Sequence, residues 1–144
     1  MTKSETEIEI ESQITKWGFS KFADLYYKKG TFSLKVSSEK ILSDCVYVVI
    51  SGRKVLYIGE TQRDVEVDHW RPRVSALNNR KYEKFRGPWV AAMKPSGIAE
   101  IFVRPAKTKK GEFSGMFLSL RKLEEKELIL MLDPTINKMG KTKN

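Results

Sequence analysis

One cysteine and one histidine occur in the 144 residues of this chain. A single thiol, Cys45, excludes an internal disulfide and any multi-cysteine zinc site. Set in a β-rich run, it reads as a small buried hydrophobe. It fits a reducing compartment, and the cytoplasm is the expected location. No stretch reaches the roughly 18 apolar residues of a membrane span, so no membrane partner is expected. The opening residues are polar and acidic, unlike a secretory leader. Internal repeats are absent. Acidic residues are outnumbered, 18 against 27 Lys and Arg, for a net charge of +9. The imbalance is uneven: residues 1–12 carry −3, which leaves +12 on the remainder. A body of that charge suits a polyanionic partner, without choosing between DNA, RNA and an anionic lipid surface. With 40% hydrophobic residues, the chain has material for one core and the length of one domain.

What is present is organised around residues 45–61. Two runs rich in Val, Ile and Tyr, Val46–Ile50 and Val55–Ile58, flank the polar break Ser51–Gly52–Arg53–Lys54. That pattern predicts a β-hairpin. Tyr47 and Tyr57 lie on its two strands, and Gly59 follows where a close backbone approach is needed. Upstream, Ile10, Ile14 and Trp17 have helical spacing, whereas Ile8 and Ile10 alternate with glutamate; a helix over 4–17 is the expectation. Ser20 can cap a second helix, with Phe22, Leu25 and Tyr26 on one face and Gly30 at its end. Phe32, Leu34 and Val36 alternate as a short strand. Residues 1–44 thus read as a mainly helical N-terminal extension, and residues 45–144 as the main domain.

Downstream, Glu60, Asp64, Glu66, Asp68 and His69 crowd into one segment. Carboxylates beside a histidine can hold a metal; the plainer reading is a solvated loop whose Asp68 caps the next helix. Residues 70–85 read as that helix, with Pro72 in the first turn, where its missing N–H costs little. Arg71, Arg73, Arg80, Lys81, Lys84 and Arg86 against Glu83 make residues 70–86 strongly basic. Gly87–Pro88 and Lys94–Gly97 read as breaks, with Trp89–Met93 between them unassigned. Ile98–Arg104 is the best third strand. Arg104, Lys107, Lys109 and Lys110 then form a basic loop suited to a phosphate backbone. Residues 114–132 read as the longest helix, with an apolar stripe that includes Met116, Phe117, Leu120, Leu128 and Met131. Asp133–Pro134 ends it.

Tyr57–Ile58–Gly59, the tyrosine of Cys45–Val46–Tyr47, the Arg71–Pro72–Arg73 helix start and Pro134–Thr135–Ile136–Asn137 together resemble the GIY-YIG nuclease superfamily. The resemblance covers residues 45–137. It implies an α/β architecture of the α+β kind: a small, mainly antiparallel three-stranded sheet flanked by helices. It implies metal-dependent hydrolysis of DNA phosphodiesters, with Mg²⁺ or Mn²⁺ as the ion. It assigns Tyr47 to water activation, Tyr57 to orienting water or phosphate, and Arg73 to transition-state stabilisation. Arg71 stays open as the alternative to Arg73, because the preceding loop is longer than the family's short form. Asn137 would orient scaffold or substrate. For the metal-binding glutamate, spacing back from Asn137 selects Glu125. Helical phase selects Glu124, which falls at the centre of the apolar stripe, where a carboxylate needs a metal or an arginine. Arg71, Arg80, Lys81, Arg104, Lys107, Lys109 and Lys110 are the expected nucleic-acid contacts. Two positions depart from the family: Glu60 stands where Lys or His is common, and Leu77 where His or Tyr is common. They keep a second reading open, a GIY-YIG-like module that binds nucleic acid with little or no cleavage. Oligomeric state is open, a homodimer included.

Overall fold

The computed structural model describes residues 5–37 and 42–137, with side chains from residue 9 onward. Its centre is a five-stranded antiparallel sheet in the order β2-β1-β5-β3-β4. The strands are β1 (Ser20–Lys28), β2 (Thr31–Val36), β3 (Cys45–Ser51), β4 (Lys54–Thr61) and β5 (Ile98–Pro105). The three strands expected of the sheet, β3, β4 and β5, are all present, β2 forms as the Phe32–Leu34–Val36 alternation predicts, and the β1–β2 hairpin widens the sheet by two. Helices cover both faces, so the architecture is α+β. On one face, Tyr47, Val49, Leu56 and Ile101 pack with Val65, Trp70, Leu77, Trp89 and Met93. On the other, Val46, Val48, Ile58 and Phe102 pack with Ile14, Phe19 and Leu128. The alternation of apolar residues in β3 feeds both cores, which is why Cys45–Ile50 is buried without interruption.

Helix α1 (Glu5–Lys16) forms as the Ile10–Ile14 spacing predicts. The second helix expected from Ser20 to Gly30 is instead the strand β1 and a two-residue turn. A β-bulge between Lys21 and Ala23 breaks the alternation, so Phe22 and Ala23 are both buried. That bulge created the Phe22–Leu25 spacing that mimicked a helix. Lys29 and Gly30, both at positive φ (51° and 79°), make the tight turn into β2. Residues 20–36 therefore belong to the same sheet as residues 45–61, with β1 hydrogen-bonded to β5.

The helix expected over residues 70–85 is broken. A six-residue π-helical segment, Val65–Trp70, leads into α2 (Arg71–Leu77). Its cap is Asp64, which accepts from the amides of Glu66 and Val67, rather than the expected Asp68. Asn78 ends α2 because its side chain is diverted: it accepts from Phe32 N at 2.7 Å and donates to Phe32 O at 2.9 Å, closing the outer edge of β2. A 3-10 turn (Arg80–Tyr82) follows, then α3 (Glu83–Met93). Gly87–Pro88 is no break; it lies inside α3, where burial of Trp89 and Met93 outweighs the lost hydrogen bond.

The last expected helix is shortened. Helix α4 runs only from Arg121 to Leu132. Residues 108–119 form instead a two-stranded hairpin, β6 (Thr108–Lys110) against β7 (Phe117–Ser119), so part of the expected basic loop is a strand. Met116 and Phe117, placed on the helix stripe by their spacing, are exposed on this hairpin. Among the described residues no helix is long and apolar enough to cross a membrane.

Candidate active site

The register of the central hairpin sets the site. Tyr47 lies opposite Gly59 and Val49 opposite Tyr57, so both tyrosines project from one face of the sheet. Their ring centroids are 6.1 Å apart and nearly stacked. Gly59 is there to admit Tyr47: a Cβ on it would sit 2.3 Å from the Tyr47 hydroxyl oxygen. Tyr47 is fully buried under Trp70, which in turn meets Trp89 edge-on at 6.0 Å.

The π-helical segment brings the single histidine onto this face. Tyr47 Oη lies 2.6 Å from His69 Nε2. Burial, with the nearby Arg73 charge second, pushes the His69 pKa down to about 4, so the imidazole is neutral at pH 7. Burial raises the Tyr47 pKa well above its ordinary value, opposed by the Arg73 cation. Two neutral groups share this bond. The ring tautomer sets the direction of the bond: with the ring proton on Nδ1, the tyrosine hydroxyl donates to Nε2. Sequence reasoning gave His69 little weight because its partner is 22 residues away. Its one local signal was the four-residue step to Arg73.

Arg73 points into the same cluster. Its guanidinium carbon lies 5.0 Å from the centre of the Tyr57 ring, 5.5 Å from Phe85 and 5.6 Å from Trp70. Aromatic faces hold the cation, and among the described residues no carboxylate comes within ion-pair distance of it. Arg71 points elsewhere, pairing with Glu66 at 2.9 Å on the surface. Tyr47, Tyr57 and Arg73 are thus brought together, and Arg71 is not. Leu77 is a core residue. Cys45 is enclosed, and burial pushes its thiol up to about 12, which leaves it inert at neutral pH.

The two glutamates of α4 have different surroundings. Glu124 pairs with Arg104 and accepts from the Lys107 amide at 2.9 Å. Arg104 is further tied to the Trp17 carbonyl at 2.8 Å and lies over Phe19. Glu125 has no hydrogen bond or ion pair among the described residues. Burial raises its pKa, the nearby Glu60 charge adds to this, and its own charge acts on Tyr47. Glu60 itself is held by Arg121, which also binds Asp44 at 2.6 Å. No group of three or more His, Cys, Asp or Glu capable of holding a metal occurs among the described residues. The crowded carboxylates of residues 60–69 therefore do not form one there. What remains is one half-buried carboxylate without a partner, Glu125. That fits a hard ion of the Mg²⁺ kind, which binds through one or two carboxylates and keeps waters and substrate phosphates as its other ligands.

Asn137 closes the β4 edge as Asn78 closes β2. Its amide accepts from Ile58 N at 2.8 Å and donates to Ile58 O at 2.9 Å, beside Tyr57 and Gly59. Of the expected nucleic-acid contacts, Arg80, Lys81, Lys107, Lys109 and Lys110 are exposed, Arg71 is surface-paired, and Arg104 is engaged with Glu124.

No protein-family model matches the chain, and no curated protein matches it. Solved structures do. A point variant of bacteriophage T4 EndoII superposes with a TM-score of 0.60 over 88% of this chain and 97% of that one, at 18% identity. Restriction endonuclease HPY188I, in complex with product DNA, superposes with a TM-score of 0.50 over 94% of each chain, at 12% identity. The chain shares the fold of these proteins over nearly its whole length.

Proposed function

We propose that this protein is a metal-dependent endonuclease of the GIY-YIG type, hydrolysing DNA phosphodiester bonds. The observation that carries this is the convergence of Tyr47, Tyr57, His69 and Arg73 on one face of the central hairpin. The shared fold supports it: both neighbours are named as endonucleases or carry that abbreviation, and one is bound to product DNA.

The chemistry needs a deprotonated water and a cation facing the charge that develops on phosphorus oxygens. Arg73 supplies the cation, held in place by rings that leave its charge uncompensated. Tyr47 takes the proton of the attacking water while its own passes to His69 Nε2, so the tyrosine never carries a full charge in its buried setting. A phosphate against Arg73 offsets the cation that helps to depress His69, and the imidazole gains proton affinity as substrate binds. Since Tyr47 is enclosed, water reaches it along the partly exposed His69 and Arg73. Tyr57 presents Arg73 and orients the phosphate. Glu125 would hold the divalent ion, whose contribution is to neutralise phosphoryl charge as a Lewis acid. Asn137 fixes the strand that carries Tyr57 and Gly59.

Plasmid and single-stranded DNA incubated with Mg²⁺, Mn²⁺ or EDTA test this. Nicking or linearisation that EDTA abolishes is expected. The complete enclosure of Tyr47 favours a second reading, a module that binds DNA without cutting it. Salt-dependent binding with no cleavage under any divalent ion would select that reading.

A further inference from the structure

The β6–β7 hairpin has the wrong surface for an isolated solvent-exposed arm. Phe113 at its tip is 97% exposed and Phe117 72%, with Met116 and Leu118 beside them. Soluble monomers seldom gather so many large apolar side chains on one projection. The tip is built rather than loose. Gly111 N donates to Met116 O at 2.7 Å, Gly115 N to Gly111 O at 3.0 Å, and Met116 N to Ser114 Oγ at 3.1 Å. Its register pairs Lys110 with Phe117 and Lys109 with Leu118. Each face of the ribbon therefore carries one lysine beside one large apolar residue. Against Lys107, Lys109 and Lys110 the arm holds a single acid, Glu112.

The root of the arm is fixed at the start of the strand that carries Tyr47. Leu120 N donates to Lys107 O at 2.8 Å, Ser119 Oγ to Asp44 Oδ1 at 2.6 Å, and Ala106 N to Asp44 O at 2.9 Å. Asp44 directly precedes β3, three residues before Tyr47. Cys45 pairs with Pro105 and Tyr47 with Val103, so the arm leaves the sheet at the end that bears Tyr47.

We propose that the β6–β7 hairpin is a DNA-groove arm in which Lys109 and Lys110 engage phosphates and Phe113 wedges into a base step. The inference rests on the endonuclease reading and adds how the substrate is gripped and deformed. A two-stranded ribbon is of a size to enter a DNA groove. Apolar side chains on groove-binding elements unstack base steps and bend the duplex. A second copy of this chain is a poorer occupant, because two-fold pairing of the arm would set lysines against lysines.

The test uses the full chain in EDTA with a short duplex that carries 2-aminopurine, whose fluorescence rises on unstacking. Wild type is expected to raise the signal. Phe113→Ala is expected to abolish the rise and weaken binding roughly tenfold, within the range for loss of one aromatic–base stack. Lys109→Ala with Lys110→Ala is expected to weaken binding and reduce its salt dependence while keeping the rise at saturation. Phe113 touches no core, so loss of fold does not confuse the result. Unchanged fluorescence and affinity in Phe113→Ala overturn the proposal, as does a wild-type dimer in free solution that this variant dissociates. If Phe113→Ala matches wild type while the wild type cleaves plasmid with Mg²⁺, the arm proposal alone fails. If wild type neither binds nor cleaves DNA, both readings fall.

Discussion

The two faces of the sheet handle charge in opposite ways. On the face away from the tyrosines, cations are matched to carboxylates. Arg104 meets Glu124, and Arg121 lies between Asp44 and Glu60. These pairs tie α4 and the strand ends together, and their charge is spent within the molecule. On the tyrosine face, Arg73 is held by Tyr57, Trp70 and Phe85, with no carboxylate in reach among the described residues. Rings fix a guanidinium in place without neutralising it. The difference separates structural cations from one left available to an anion.

The largest expected effect breaks the comparison at Arg73. Arg73→Ala should lower single-turnover DNA cleavage by about 10²–10³-fold, the range for removal of one transition-state donor. Its urea midpoint should stay near wild type. Arg71→Ala, which loses only a surface pair to Glu66, should cleave normally. The reverse pattern would move the catalytic position to Arg71.

Gly59→Ala comes next. The added methyl collides with the Tyr47 hydroxyl, and overpacking of this kind costs about 1–3 kcal/mol. Denaturation should show that loss, with cleavage falling as Tyr47 is displaced from His69. Unchanged stability would contradict the close crossing of Tyr47 over Gly59.

The neighbouring glutamates of α4 carry the same contrast, a spent charge against an available one, onto a single helix. Glu124→Gln leaves Arg104 without its carboxylate, for a loss of about 1–2 kcal/mol, less than for a fully buried pair. Metal-dependent cleavage should survive. Glu125→Gln removes a charge already disfavoured by burial and by Glu60, so stability should hold or rise slightly while metal-dependent cleavage is lost. Equal behaviour of the two variants would undo the distinction between a paired and an available carboxylate.

The smallest effect is a pH slope. His69 titrates near 4 in the folded chain, below its ordinary 6.5. Between those values the unfolded chain binds more protons, so stability is full above pH 6.5 and declines as pH falls toward 4. Solvent screening of the partly exposed ring reduces this to on the order of 1 kcal/mol. Unfolding followed between pH 4 and 7 should show the slope in wild type and a shallower one in His69→Gln. Identical slopes would remove His69 as its source.

Sequence alone carried the dense β-branched runs of the central hairpin and β5, the alternation of β2, and α1, where the Ile10–Ile14–Trp17 spacing prevailed over the Ile8–Ile10 alternation. It misled where one residue disturbed the period. The bulge at Phe22 turned a strand into an apparent helix, and the exposed Met116 and Phe117 prolonged the stripe of α4 by a hairpin's length. Tyr47, Tyr57 and Arg73 were singled out through family resemblance and are brought together in the fold. The choice between Glu124 and Glu125 needed Arg104, 20 residues earlier, to be seen against Glu124. His69 was unreadable for the same reason: a lone histidine acquires meaning only from its tertiary neighbour.

The most direct measurement is the single-turnover cleavage rate of duplex DNA by Tyr47→Phe at pH 7 in Mg²⁺, alongside its unfolding curve. This change deletes one oxygen, keeps the ring that packs on Gly59 and Trp70, and removes the hydrogen bond to His69. The expected result is near-wild-type stability and DNA binding with cleavage reduced at least about 100-fold, the lower end for loss of a general base. Cleavage at the wild-type rate would contradict the assignment of Tyr47 and His69 to the chemistry.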